Sequence, residues 1–71
     1  MDNHTNLATQ TVKIRKTLGW SQLKLSQVSG ITQATISRIE SGKTSNPHIS
    51  HVIKIADAFG TSIDNLIGRK P

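Results

Sequence analysis

The sequence predicts an all-α domain of five short helices. Three observations carry that reading. Glycines and small hydroxyl residues alternate as helix stops and starts: Gly19 then Ser21, Gly30 then Thr32, Gly42, Gly60 then Ser62, and Gly68. Between them, apolar residues recur at helical spacing. No run of four or more residues alternates apolar and polar between hairpin turns, although β-branched residues are plentiful.

The first helix is expected over about 7–18, where Leu7, Thr11, Ile14 and Leu18 share one face and Thr11 is a polar interruption. The second runs over 22–29, capped by Ser21 and ended by Gly30, with Leu25 and Val28 as an i, i+3 pair toward the core. The third covers 33–41, with Thr32 as N-cap and only Ile36 and Ile39 large and apolar. Asn46 stands before Pro47 and is pushed out of helical dihedrals, so 43–47 reads as a loop. The fourth helix starts after His48, a weaker N-cap than Ser or Asp, and carries Ile49, Val52, Ile53, Ile55, Ala56 and Phe59. As the most apolar stretch it is the expected core helix. A fifth, over 63–67, closes a single domain at 7–68, with 1–6 and 69–71 as tails.

Composition narrows the function. A chain of 71 residues without cysteine excludes disulfides, thiolate zinc sites and cysteine nucleophiles, and points to a reducing compartment. Trp20 and Phe59 are the whole aromatic complement, too little for the stacking platforms of single-strand binders. The formal charge is +5, and all of it lies between positions 13 and 43: Lys13, Arg15, Lys16, Lys24, Arg38 and Lys43 stand against Glu40 alone. Outside that stretch Lys54, Arg69 and Lys70 balance Asp2, Asp57 and Asp64. A polyanionic partner follows. No apolar run approaches the ~20 residues of a membrane span, and the N-terminus lacks the basic-then-apolar order of a secretory signal, so a cytoplasmic or nucleoid-associated chain is expected.

No nucleophile signature or glycine-rich phosphate loop accompanies the serines, and a 71-residue bundle has no room for a 300 Å³ pocket without hollowing its core, so no enzyme is expected. No cofactor is implied. His48 and His51, at i, i+3 with no Cys or acid beside them, do not make a metal site. Trp20, just before the Ser21 cap, reads as a hydrophobic staple over the next helix.

The second and third helices are joined by a turn so short that they form a helix-turn-helix at about 22–41. Ser26 is the small residue where the helices cross, and Gly30 the residue free to take positive φ. Opposite Ile36 and Ile39, the third helix clusters Gln33, Ala34, Ser37, Arg38 and Ser41, with no acid among them. Such side chains suit a helix that enters a major groove about 12 Å wide, where Arg pairs with guanine and Gln with adenine.

Ile14, Arg15, Leu18–Gln22, Leu25, Gly30, Ile31, Ile36–Lys43, Pro47, Lys54–Ala56 and Leu66 resemble the lambdoid phage repressor and Cro family of helix-turn-helix proteins, the Xre-like group. The resemblance covers about Ile14 to Ile67. It implies a five-helix lambda-repressor-like domain that binds operator DNA as a homodimer and regulates transcription, by occluding or recruiting RNA polymerase. It further implies that Gln33, Ala34, Ser37 and Arg38 read bases, while Gln22, Thr35, Ser41, Lys43, Ser45 and Asn46 lie along the phosphates. Arg15 and Glu40 match the family's ion pair between first and third helices. Ser26 departs from the usual alanine, and its hydroxyl is expected to bond back to a carbonyl one turn earlier. The loop after Lys43 holds fewer cations than in phage relatives, which lowers the expected number of phosphate charges. Apart from the resemblance, Ile63, Leu66 and Ile67 offer apolar surface for a dimer contact, and for Leu66 and Ile67 a place in the core is the equal alternative. The competing reading is an adaptor or antitoxin-like chain that uses the same fold to bind a toxin-like polypeptide.

Overall fold

A computed structural model describes residues 3–43 and 48–67, with side chains from Leu7 onward. The described elements are α1 (Asn3–Thr17), α2 (Gln22–Ser29), α3 (Gln33–Glu40), α4 (Ile49–Phe59) and α5 (Ile63–Leu66). The all-α reading holds, with no strand among the described residues. Helix α1 begins at Asn3, so residues 3–6, expected as tail, form its first turn. No Gly or Pro precedes Leu7 to stop the backbone from continuing outward.

Three side chains start helices as their types predict. Ser21 Oγ accepts from Lys24 N–H, Thr32 Oγ1 from Thr35 N–H, and Ser62 Oγ from Asn65 N–H. Each such cap contributes about 1 kcal/mol. His48 makes no side-chain cap to α4, as its weaker capping chemistry implied. Gly30 and Gly60 close α2 and α4 in the left-handed region, at φ 76° and 68°.

Helix α1 lies against α3, α4 and α5; α2 packs on α3 and α4; α4 meets α5. Leu7, Leu25, Ile31, Ile36, Ile39, Val52, Ile55, Ala56 and Leu66 fill the space between them. Thr11 is buried too, and its hydroxyl donates to the Leu7 carbonyl at 2.7 Å, which satisfies it within its own helix. Trp20 and Phe59 close the rim with ring centroids 5.8 Å apart.

Several apolar residues expected inside are exposed. Leu18 follows the last turn of α1, where the chain leaves the core through Gly19. On α2, Leu25 alone is buried and Val28 faces out. On α4 the buried stripe is Val52, Ile55 and Ala56, whereas Ile49 is 65% exposed and Ile53 42%. An eleven-residue helix packed on the neighbours around it has a flank that none of the described residues covers, and those two isoleucines occupy it. Conversely, Ile31 in the α2–α3 turn is a core residue that helical periodicity could not reveal.

Candidate nucleic-acid interface

The α2–α3 turn is held from both sides. Gly30 N–H donates to the Ser26 carbonyl at 2.9 Å, and its positive φ swings the next residue inward, where Ile31 is buried. Ser26 Oγ then donates to the Ile31 carbonyl, while Ile31 N–H donates to Ser29 Oγ at 3.2 Å. The expectation that Ser26 would bond back one turn is therefore corrected. The carbonyl one turn back already accepts a helical backbone bond, whereas the Ile31 carbonyl, past the end of α2, needs a donor.

With Ile36 and Ile39 buried, α3 presents Gln33, Ala34, Ser37, Arg38 and Ser41 to solvent. Thr35 is half-buried and shares a hydrogen bond of 2.9 Å with Thr32 Oγ1; with Thr32 donating, the Thr35 hydroxyl proton points elsewhere. The Ser41 hydroxyl gives its proton to the Arg38 carbonyl at 2.9 Å. Lys43 is exposed just beyond the helix. Ser45 and Asn46 lie outside the described residues.

The far end of α3 is fixed by a polar cluster. Arg15 Nε donates to Glu40 Oε2 at 2.7 Å and Arg15 Nη2 to Glu40 Oε1 at 3.0 Å, a two-pronged pair. The remaining prong, Nη1, donates to the Trp20 carbonyl at 2.8 Å. Gln22 Nε2 donates to Glu40 Oε1 at 3.0 Å. One carboxylate thus ties together α1, the start of α2 and the end of α3. The Arg15 and Glu40 side chains are only 13% and 5% exposed. Hydrogen bonding to Glu40 is the main cause that raises the Arg15 pKa above its usual value, with their charge attraction adding and burial opposing. Arg15 therefore stays charged at any pH at which the chain folds.

Gln22 was expected as a phosphate contact alone. Its bond to Glu40 shows a positioning part as well, one that no local spacing could signal because the partners are 18 positions apart. Of the two places open to Leu66, core and dimer surface, the structure gives the core: it is fully buried where α5 packs on α1 and α4. Ile63 remains exposed beside it and Ile67 is half-buried against the core. The expectation that the bundle has no room for a pocket also needs correction, because an open groove of about 610 Å³ lies outside the core, lined by Ala8, Val12, Ser41 and Gly42 among others. Among the described residues no three His, Cys, Asp or Glu come together, and His48 meets His51 edge to face. No helix among them is long and apolar enough to cross a membrane.

Residues 13–66 match the helix-turn-helix family HTH_3. The chain belongs to that family. The matched segment spans the Arg15–Glu40 pair, the pinned turn and all of α3, so the resemblance to the repressor and Cro group rests on this same substructure. A crystal structure of an HTH_3 family transcriptional regulator from Vibrio cholerae has the same fold, with a TM-score of 0.83 and 28% identity over 92% of this helix-turn-helix chain. The chain spans 36% of that protein's length.

Proposed function

We propose that this chain is a sequence-specific, double-stranded DNA-binding regulator of transcription. The observation that carries the reading is the exposed face of α3. It offers an amide, a methyl, a hydroxyl and a guanidinium with no carboxylate among them, on a helix whose position two neighbouring elements fix. Gln33, Ala34, Ser37 and Arg38 read base edges in the major groove. Gln22, Thr35, Ser41 and Lys43, with Ser45 and Asn46, lie along the phosphates. Lys13, Lys16 and Lys24, all exposed, add field.

The functional unit is a homodimer that represses by covering a palindromic operator, since one eight-residue recognition helix addresses too few base pairs for a unique site. Ile63, with Ile67 at its edge, provides the contact. Half-site centres lie about 10–11 base pairs apart.

Titration of random and selected duplexes over about 50–200 mM salt tests the reading: both bind with affinities that fall steeply with salt, the selected site more tightly. The exposed Ile49 and Ile53 give the adaptor reading its surface. Absent or salt-independent duplex binding, with capture of a polypeptide partner, would decide for the adaptor.

A further inference from the structure

Between the last amide bonded into α2, that of Gly30, and Thr32, the N-cap of α3, the backbone turns on the φ and ψ of two residues, Gly30 and Ile31. Glycine resists a change of φ and ψ less than any other residue. Glu40 fixes the far end of α3, so a loose turn would let the near end swing about it. The eight residues of α3 span about 12 Å, and a tilt of about 2–3° then moves the near end by about 0.5 Å, the tolerance of a side chain that must meet fixed base edges.

Two hydroxyls hold the turn. Ser26 and Ser29 stand at i, i+3 on α2, both half-buried. Ser26 Oγ donates to the Ile31 carbonyl, and Ser29 Oγ accepts from the Ile31 N–H at 3.2 Å. The peptide groups on both sides of Ile31 are thereby tied back to α2, while its side chain, 4% exposed, is held in the core. Among the described residues no other hydrogen bond reaches either group. With alanine at position 26, the usual residue in the family, the donor to the carbonyl would be missing.

We propose that Ser26 and Ser29 are positioning residues: by clamping both peptide groups of Ile31 they set the angle of α3 on α2, and with it the preference of this chain for one DNA sequence over another. The inference rests on the DNA-binding reading above. Neither serine needs to touch DNA.

The test titrates the unaltered chain, Ser26→Ala, Ser29→Ala and Ser29→Thr against two duplexes at several salt concentrations, one a site selected from random DNA by the unaltered chain and the other a random duplex. Each alanine variant should lower the ratio of selected to random affinity about three- to ten-fold, the equivalent of one hydrogen bond, and leave random-duplex affinity and its salt slope unchanged. Partial unfolding would weaken both duplexes by the same factor, so the ratio separates positioning from stability. Ser29→Thr keeps the acceptor oxygen and should keep the ratio. Amide hydrogen exchange followed by NMR reads the clamp without DNA. In Ser29→Ala the Ile31 amide should exchange faster by a larger factor than the Ile36 amide, whose bond to the Thr32 carbonyl opens with α3 itself. An unchanged ratio in both alanine variants, an equal loss on both duplexes, a Ser29→Thr chain as poor as Ser29→Ala, or an Ile31 amide that quickens no more than that of Ile36 would each overturn the positioning role and leave the DNA-binding reading standing. Failure of the unaltered chain to select any site, with no salt-dependent duplex binding, overturns both.

Discussion

Replacing Glu40 by glutamine removes one charge at a point where three elements meet. The carboxylate accepts from Arg15 twice and from Gln22 once, at 2.7, 3.0 and 3.0 Å. Glutamine keeps the shape but has a single acceptor oxygen, and its NH2 group must face a donor of Arg15 or Gln22. Arg15 is left charged and only 13% exposed. Breaking a fully buried pair from one side costs about 3–5 kcal/mol, and the partial access of Arg15 to water lowers this to about 2–3 kcal/mol. A domain of this size is held by about 3–5 kcal/mol, so the variant should keep about 0–3 kcal/mol of stability at ambient temperature. Urea denaturation followed by fluorescence of Trp20, the single tryptophan, measures the loss directly. The double variant Arg15→Met/Glu40→Leu removes both charges and should be more stable than Glu40→Gln, because no buried charge is left unpaired and only the neutral Trp20 carbonyl and Gln22 amide lose a partner. A loss under about 0.5 kcal/mol for Glu40→Gln, or a double variant as weak as the sum of its single changes, would refute the reasoning.

Gly30→Val should cost more than about 1 kcal/mol, all of it backbone strain, since an added Cβ meets no atom within 4 Å and the φ is +76°; an unchanged thermal melt would contradict this. Ser26→Ala should lose about 1 kcal/mol by leaving the Ile31 carbonyl without its hydroxyl donor, measured by the same denaturation. Lys43→Ala should weaken all duplexes alike and lower the salt slope by about one unit, whereas a changed consensus would place Lys43 on a base. Ile63→Asp should reduce sedimentation-measured dimer and operator affinity together at unchanged melting temperature, while Leu66→Ala should lower the melt itself by removing a core side chain worth about 2–5 kcal/mol. A dimer unaffected by Ile63→Asp would move the contact to another face.

Helix order, the three hydroxyl caps and the positive φ at Gly30 were legible because each depends on residues within one turn. The Arg15–Glu40 pair was legible only through the family resemblance, since 25 positions separate its partners. Other features depend on what a neighbour covers. Helical periodicity places Ile49 and Ile53 beside the buried stripe of α4, but whether a flank meets another helix is a matter of the packing around it. Ile31 and Leu66 show the reverse. Each is buried because a short turn or helix is folded onto the core by residues distant in sequence, and neither sits in a periodic run long enough to announce it. Ser26 failed as an expectation for a similar reason: its acceptor lies beyond the glycine, in a turn whose path no propensity specifies.

Glu40 is the only carboxylate between positions 13 and 43, and it stands at the end of the helix proposed to enter the groove. A free carboxylate there would repel phosphates and sit badly at a helix C-terminus. Paired with Arg15 and 5% exposed, it contributes no net field, and Lys13, Lys16, Lys24, Arg38 and Lys43 act unopposed. An apolar pair would be equally neutral and about as stable. What it lacks is direction: two aliphatic side chains allow α3 to rock against α1, whereas a guanidinium fork on a carboxylate, with Gln22 on the same oxygen, permits one orientation. Base edges demand placement to within about 0.5 Å, while phosphate attraction tolerates far more. The Arg15→Met/Glu40→Leu chain carries the same net charge as the natural one. Its affinity for random duplex should therefore be unchanged, and its preference for the selected site should fall. Equal loss on both duplexes would mean that the pair acts through charge or folding, and an unchanged preference that α3 needs no such anchor.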